Sequence, residues 1–274
     1  MNTGQLLLNT WIFEPSVLIG CAILLGGYYL VVFKLQPKRR SVVLWFTVGV
    51  QLLLIALVSP LHTLGDNYLF SAHMLQHLLL VLIVPPLLLL GIPAELAKAV
   101  LKNPVCRVAE RILSFPVISW LLGVGTVYLW HLPIMYEATL QNHTLHIVEH
   151  LSFLVTSTIF WWPILSPLPE LRLPPLGALI YLFMGAVSSS VLGIIIAFAP
   201  AGLYPFYTNP VDTLNILPLL RRDWGLDPAS DQQLAGVLMW VPGSFIYFCV
   251  AMGVLARWFK EQTARDYQLW SQEY

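Results

Sequence analysis

Seven apolar runs, most of them long enough to cross a lipid bilayer, constrain the fold of this chain more than any other feature. They lie at 16–33, 42–59, 73–91, 116–131, 146–165, 176–199 and 234–256. A membrane-spanning helix needs roughly 20 apolar residues, and the fourth run is the shortest. Only 10% of the 274 residues are charged, against about 25% in a soluble domain. We therefore predict an all-α membrane protein, a single bundle of seven transmembrane helices over residues 1–274.

The basic residues are concentrated in alternate connections between these runs. The first, third and fifth connections and the C-terminal tail carry 12 of the 14 Lys and Arg residues. Because basic loops stay on the cytoplasmic side of a membrane, we predict that the N-terminus lies outside and the C-terminus in the cytoplasm. Acidic residues also number 14. This balance gives no sign of a nucleic-acid partner, and lipid is the expected surrounding.

Two connections are long enough to have structure of their own. Residues 94–115 place four basic residues among Leu, Ala and Val, which predicts either a helix lying along the cytoplasmic surface or an ordinary basic loop. Residues 200–233 form the longest external connection, and aromatic residues and prolines crowd its start. We expect part of this second connection to fold over the outer end of the bundle.

All seven histidines fall at or near the predicted outer ends of the runs. His73 and His77 are four residues apart at the start of the third run, and His146 and His150 have the same spacing in the fifth. Residues four apart share a helix face, so two such pairs predict four imidazoles at similar depth. His131 ends the fourth run and is a fifth or alternate ligand. The pattern predicts a metal site built from these five histidines.

Five further residues are predicted to support this site. Glu149 and Gln76 lie on the same helix sides as the histidines, where they could orient the ligands through hydrogen bonds. Met74 and Met135 would favour Cu(I) among the metals that imidazole binds, although Met also fills gaps in packing. Asp231, just before the last run, either caps that helix or closes the site from the loop.

Copper is the favoured metal and zinc the alternative. Residues 146–150, HIVEH, match the H-x-x-E-H pattern of zinc hydrolases, in which Glu149 would activate a bound water. A catalytic zinc keeps a position open for water, whereas five nearby histidines favour a fuller or binuclear site. A haem protein would use two axial histidines and leave the others unexplained. A copper transporter would need ligands at several depths in the membrane, whereas the histidines all lie near the predicted outer ends of the runs. The roles of His62 and His143 stay open.

Six segments of the sequence carry a resemblance to a known family. They are 71–77 (SAHMLQH), 85–93 (PPLLLLGIP), 130–136 (WHLPIMY), 146–163, 203–207 (LYPFY) and 231–243. Together, and in this order, they resemble the seven-helix CtaG-type cytochrome c oxidase assembly factors of bacteria. The resemblance covers roughly residues 60–256, and the first two helices add little beyond hydropathy.

The resemblance implies a protein of the bacterial inner membrane that takes part in maturing a haem–copper oxidase. The expected partner is the catalytic subunit of that oxidase, and the expected cargo is copper. We therefore expect an assembly factor rather than an enzyme, with copper held near the outer compartment and passed laterally to the oxidase subunit. The ligand assignment itself comes from the histidine spacing.

Overall fold

Helices account for the regular secondary structure of the computed structural model, which describes residues 3–35 and 41–273. The α-helices within these ranges are α1 Thr3–Asn9, α2 Pro15–Leu35, α3 Ser41–Val58, α4 Pro60–Asn67, α5 Phe70–Leu78, α6 Val84–Leu90, α7 Ala94–Val100, α8 Pro104–Leu113, α9 Pro116–Trp130, α10 Pro133–Gln141, α11 His143–Leu165, α12 Pro175–Phe198 and α13 Pro228–Glu273. A π-helical segment, Leu79–Ile83, joins α5 to α6 without a break. The all-α prediction is confirmed.

Six helical stretches of the described chain are long and apolar enough to cross a membrane. They are α2, α3, the continuous stretch Phe70–Leu90, α11, α12 and residues Pro228–Arg265 of α13. The predicted fourth span corresponds to α9, whose 15 residues extend about 22 Å and fall short of a hydrocarbon core of roughly 30 Å. It counts as a seventh span only together with α8, from which it is bent by 72°. The chain is therefore a multi-pass membrane protein.

The orientation of the bundle remains a prediction from its basic residues. Lys38, Arg39 and Arg40 contribute to that prediction and lie outside the described residues. Residues 94–115 contain the two short helices α7 and α8. Val105 and Val108 of α8 are exposed, in keeping with an amphipathic surface helix, and the placement of that helix against lipid also remains a prediction.

Two consecutive prolines explain the π-helical segment. Pro85 and Pro86 have no backbone N–H, so the carbonyl of Val81 finds no donor at either the α-helical or the π-helical spacing. The indole Nε1 of Trp161 in α11 donates to this carbonyl at 3.0 Å. The proline pair and the tryptophan thus fasten α11 to the helical stretch that begins with α5, a few turns along from His77.

Small residues allow α12 and α13 to pack closely. A Cβ atom built on Gly193 would lie 2.7 Å from the carbonyl oxygen of Gly236, and one built on Gly236 would lie 2.5 Å from the backbone nitrogen of Ala197. Both distances are too short for real atoms. Ser189 strengthens the contact by donating from its hydroxyl to the carbonyl of Met239 at 3.1 Å. Glycine is thus required for this helix pair, as is common where membrane helices meet.

Short segments cover the end of the bundle at which α5 and α11 begin. Tyr204 and Tyr207, from the connection after α12, are buried there. The Tyr204 ring packs on Phe70 at 4.5 Å and on Tyr136 of α10 at 4.3 Å between ring centroids. The connection is shorter than the predicted 200–233, because α13 already begins at Pro228. The aromatic start of this connection therefore covers the end of the bundle at which the histidines lie.

Candidate metal site

The two predicted histidine pairs face each other from α5 and α11. Asn142 starts α11 by accepting hydrogen bonds from the backbone N–H groups of Thr144 and Leu145, which places His146 and His150 on the first turns. The His150 ring lies 6.0 Å from that of His73 and 5.6 Å from that of His77, between centroids. The helices therefore bring both pairs together at one end of the bundle.

The first candidate metal group consists of His73, His77, Glu149 and His150. One possible ligand atom from each residue lies within 4.8 Å of all the others. Nε2 of His73 lies 2.7 Å from Nε2 of His77, and Nε2 of His77 lies 3.7 Å from Oε1 of Glu149. We call these four residues the first group.

Several atoms of the first group are buried without a hydrogen-bond partner among the described residues. They are Nδ1 of His77, Nε2 of His150 and both carboxylate oxygens of Glu149. A buried polar group without a partner is costly, and a carboxylate among imidazoles is a donor set that suits a divalent transition-metal cation. The residues of the first group thus fit a metal ion.

A second candidate group consists of Asp66, His73 and His146, with ligand atoms again within 4.8 Å of one another. Oδ2 of Asp66 lies 3.5 Å from Nδ1 of His146 and 3.3 Å from Nδ1 of His62. Burial raises the pKa of Asp66 well above its usual range, and the nearby Glu14 adds to that effect. Burial also lowers the pKa of His62. A cation bound here would have to displace the proton that the raised pKa favours.

The hydroxyl of Tyr207 decides between the two ring nitrogens of His73. It donates its single proton to the carbonyl of Gly65 at 2.8 Å, because a carbonyl can only accept. Its 3.1 Å contact with Nδ1 of His73 is then a hydrogen bond donated by the imidazole. His73 therefore carries its proton on Nδ1 and presents the lone pair of Nε2 to the first group, the usual way in which a neighbour orients a metal-binding histidine.

Asp231, one of the predicted supporting residues, contacts the backbone at the start of α5. Asp231 accepts hydrogen bonds from the backbone N–H groups of Phe70 at 2.7 Å and Ser71 at 3.0 Å, so it caps α5. Its own helix is capped by Asp227, which accepts from Ala229 and Ser230. Neither role expected for Asp231 is the one observed.

Gln76 lies next to His62 rather than next to the first group. Its side-chain nitrogen donates to the carbonyl of Ala56 at 3.0 Å and lies 3.1 Å from Nδ1 of His62. His62, whose role the sequence left open, is joined to the second group by its 3.3 Å contact with Asp66. His143 is exposed and contacts Glu14 at 3.1 Å.

His131 belongs to neither group. Its Nδ1 lies 2.7 Å from the carbonyl of Val127, and its Nε2 lies 3.3 Å from Sδ of Met74. Its ring centroid is 5.6 Å from that of His77. Met135, the second predicted thioether, is 41% exposed and contributes to neither group.

The structure brings His73, His77 and His150 into one group, and it adds residues that the histidine spacing does not predict. Glu149, expected only to orient ligands, stands in the first group itself, whereas His146 stands in the second. The histidine pattern does not point to Asp66, although Asp66 follows His62 by four residues and so shares its helix face. Tyr207 belongs to an aromatic segment of the sequence, and only the fold brings it into contact with His73.

A cavity of about 520 Å³ adjoins the second group and extends along α2. Its polar end is lined by His62, Asp66, His146 and His150, and its far end by apolar side chains such as Val17 and Leu154. The Glu14–His143 contact borders the polar end. The cavity therefore links the metal groups to the side of the bundle.

Comparison with known proteins supports the resemblance seen in the motifs. An uncharacterized protein of Mycobacterium leprae (strain TN) is 26% identical over 276 residues, covering 92% of this chain and 40% of that protein. A second, of Mycobacterium bovis, is 25% identical and covers 93% of this chain and 40% of its own length. The chain thus spans about two fifths of the length of these curated relatives. No solved structure matches the chain. Residues 26–261 match the cytochrome c oxidase caa3 assembly factors, and the chain belongs to this family, Caa3_CtaG.

Proposed function

We propose that this protein holds copper as cargo in the first group and delivers it to the catalytic subunit of a haem–copper oxidase. One observation carries the proposal: three imidazoles and a carboxylate converge in a buried position where several of their atoms lack hydrogen-bond partners within the described chain. Imidazole binds copper readily. Membership of a family of oxidase assembly factors supplies the reason to choose copper over zinc.

The side cavity supports lateral delivery. Its polar end contains residues of both groups, and its walls are apolar. A copper ion that left through it would stay within the helical bundle until it met the neighbouring membrane protein. The acceptor in this proposal is a helix of the oxidase subunit that docks against α2 and α11 and offers its own histidines.

Metal analysis of the full chain, purified in mild detergent, tests the proposal. A variant with His73, His77, His146 and His150 replaced by Ala should lose its copper. His143→Ala is the matched control, because His143 is exposed and lies outside both groups. Its copper content should equal that of the wild type.

Three outcomes have distinct meanings. Copper in the wild type and in His143→Ala, but absent from the fourfold variant, supports the proposal. Zinc in place of copper would favour a hydrolase, with Glu149 as the next residue to change. Absence of any metal after loading under reducing conditions contradicts metal handling. Copper delivery itself is tested in a strain lacking the protein: normal copper occupancy in its oxidase on scarce copper would rule delivery out.

A further inference from the structure

In the contact between neutral His131 and Met74, neither Nε2 of the imidazole nor Sδ of the thioether has a proton to donate. Nδ1 of His131 lies 2.7 Å from the carbonyl of Val127, and it must donate there because a carbonyl only accepts. Neutral His131 then carries a lone pair on Nε2, which faces Sδ of Met74 at 3.3 Å. A thioether sulfur has lone pairs and no proton to give.

A doubly protonated His131 could donate a hydrogen bond to Met74, but burying that imidazolium would cost much free energy. His131 is 4% exposed and Met74 0% exposed, and Phe153 and Tyr136 pack on the His131 ring at 6.2 and 6.1 Å between centroids. An imidazolium among such neighbours is a buried cation, which is expensive without a paired charge. Two lone pairs held together in an apolar position are better satisfied by a soft cation between them.

The spacing of these two atoms suits a metal ion. Zinc bonds imidazole nitrogen at about 2.0 Å and sulfur at about 2.3 Å. With similar bonds, an ion held by two atoms 3.3 Å apart would have a ligand angle of about 100°. A thioether paired with an imidazole favours Cu(I) over harder ions. A ligand angle of about 100° is that of a three- or four-coordinate ion, and His77, which lines the same small cavity, is available as a further ligand.

The surroundings leave room for an ion and connect it to the first group. A small cavity of about 60 Å³ is lined by Met74, His77, His131 and Met239. The His77 ring lies 5.6 Å from the His131 ring on one side and 5.6 Å from the His150 ring on the other, between centroids. His77 therefore stands between the first group and the His131–Met74 pair.

We propose that His131 and Met74 form a separate binding position for Cu(I), next to the first group. An ion passes between the two positions by ligand exchange through His77, with no change of oxidation state. The inference rests on the proposed function only in that copper is the cargo. It adds a second position in the chain, of softer chemistry than the first.

X-ray absorption at the copper edge tests this position directly. The full chain in detergent is loaded anaerobically with Cu(I), and the number of bound ions is measured beside the spectrum. We expect a sulfur scatterer at bonding distance in the wild type and in Met135→Leu, which removes an exposed thioether. Met74→Leu should lose the sulfur signal and about one Cu(I) per chain.

A second measurement avoids any substitution. In chain labelled with selenomethionine, the same spectrum should show a selenium neighbour of copper, which the labelled Met74→Leu variant lacks. Copper bound only through nitrogen or oxygen in the wild type, or sulfur retained in a folded Met74→Leu variant, overturns the inference and leaves the proposed function intact. Absence of Cu(I) binding in every sample overturns both.

Discussion

The carboxylate of Asp231 accepts a hydrogen bond from the backbone N–H of Phe70 at 2.7 Å, across 161 positions of sequence. Phe70 is the first residue of α5, and its preceding residue, Leu69, offers no side-chain cap. The helix that carries His73 and His77 is therefore started by a residue of α13. The position of the first group depends on the docking of the last helix.

Replacing Asp231 with Ala should destabilise the protein and weaken copper binding. The side chain is 2% exposed, so the change leaves two buried N–H groups of α5 without an acceptor, at a cost of roughly 2 kcal/mol or more. Thermal unfolding in detergent and copper content would both be measured.

Asp212→Ala is the matched control for this change. Asp212 likewise accepts two backbone hydrogen bonds, from Ile216 and Leu217, and both bonds lie within the connection that precedes α13. We expect Asp212→Ala to lose stability while keeping its copper. Equal copper loss in the two variants would contradict a specific role for Asp231.

Tyr207→Phe should lower copper affinity while the protein stays folded. The change removes the hydroxyl that accepts from Nδ1 of His73 and fixes the tautomer of that ring. Loss of such a partner weakens metal binding by roughly 10–100-fold. Competition with a Cu(I) chelator measures the Kd. Tyr68→Phe, which removes a hydroxyl in contact with Thr213, should bind copper as the wild type does.

Gly193→Ala should destabilise the α12–α13 pair. The added Cβ would lie 2.7 Å from the Gly236 carbonyl oxygen, so the helices must separate, and overpacking of this kind costs about 1–3 kcal/mol. Gly125→Ala is the control, since a Cβ there meets nothing within 4 Å. Alanine is the better helix former, so this variant should unfold at the same or a higher temperature. A stable Gly193→Ala variant would contradict the close packing.

The stabilising effect of Asp227 should depend on pH. Hydrogen bonds from the backbone of Ser230 and Ala229 lower the pKa of Asp227, so the folded state favours the carboxylate. The benefit is present above the unfolded-state pKa and is lost as pH falls through the lower, folded-state pKa. We expect Asp227→Ala to lower the Tm in detergent at neutral pH, with the difference closing in acid. Asp223→Ala, at an exposed position outside the cap, should show no such difference.

The hydropathy of the sequence predicts the spans because the residues of each apolar run are themselves the ones that contact lipid, whatever the other helices do. The histidine spacing likewise predicts that His73 and His77 share a face. The same reasoning cannot tell that Glu149 joins His73 and His77 while His146 joins Asp66, because both residues of α11 face α5 and the rotation of α11 about its axis decides which neighbours each one meets. That rotation is set by packing, including the bond from Trp161 to Val81.

Two contacts of the site cannot be predicted from local sequence, because they join residues that are distant along the chain. Asp231 caps α5 across the bundle, and Tyr207 reaches His73 from a connection 134 positions away. Local pattern contains neither relationship. Asp66 is different, since its spacing from His62 was visible and only its position in a short helix outside the spans concealed it.

The π-helical segment Leu79–Ile83 lets this stretch hold one more residue than a regular helix while its two ends keep their directions. A π-helical turn holds about one residue more than an α-helical turn, so deletion of a single residue from it would restore regular winding and leave the histidines and the Pro85–Pro86 pair on nearly their present sides. The same deletion in a regular helical turn would instead rotate everything after it by about 100°. The Pro85–Pro86 pair would then face a new side, and Trp161 would lose the carbonyl it now reaches. The π-helical turn is therefore a place where this span tolerates a change of length.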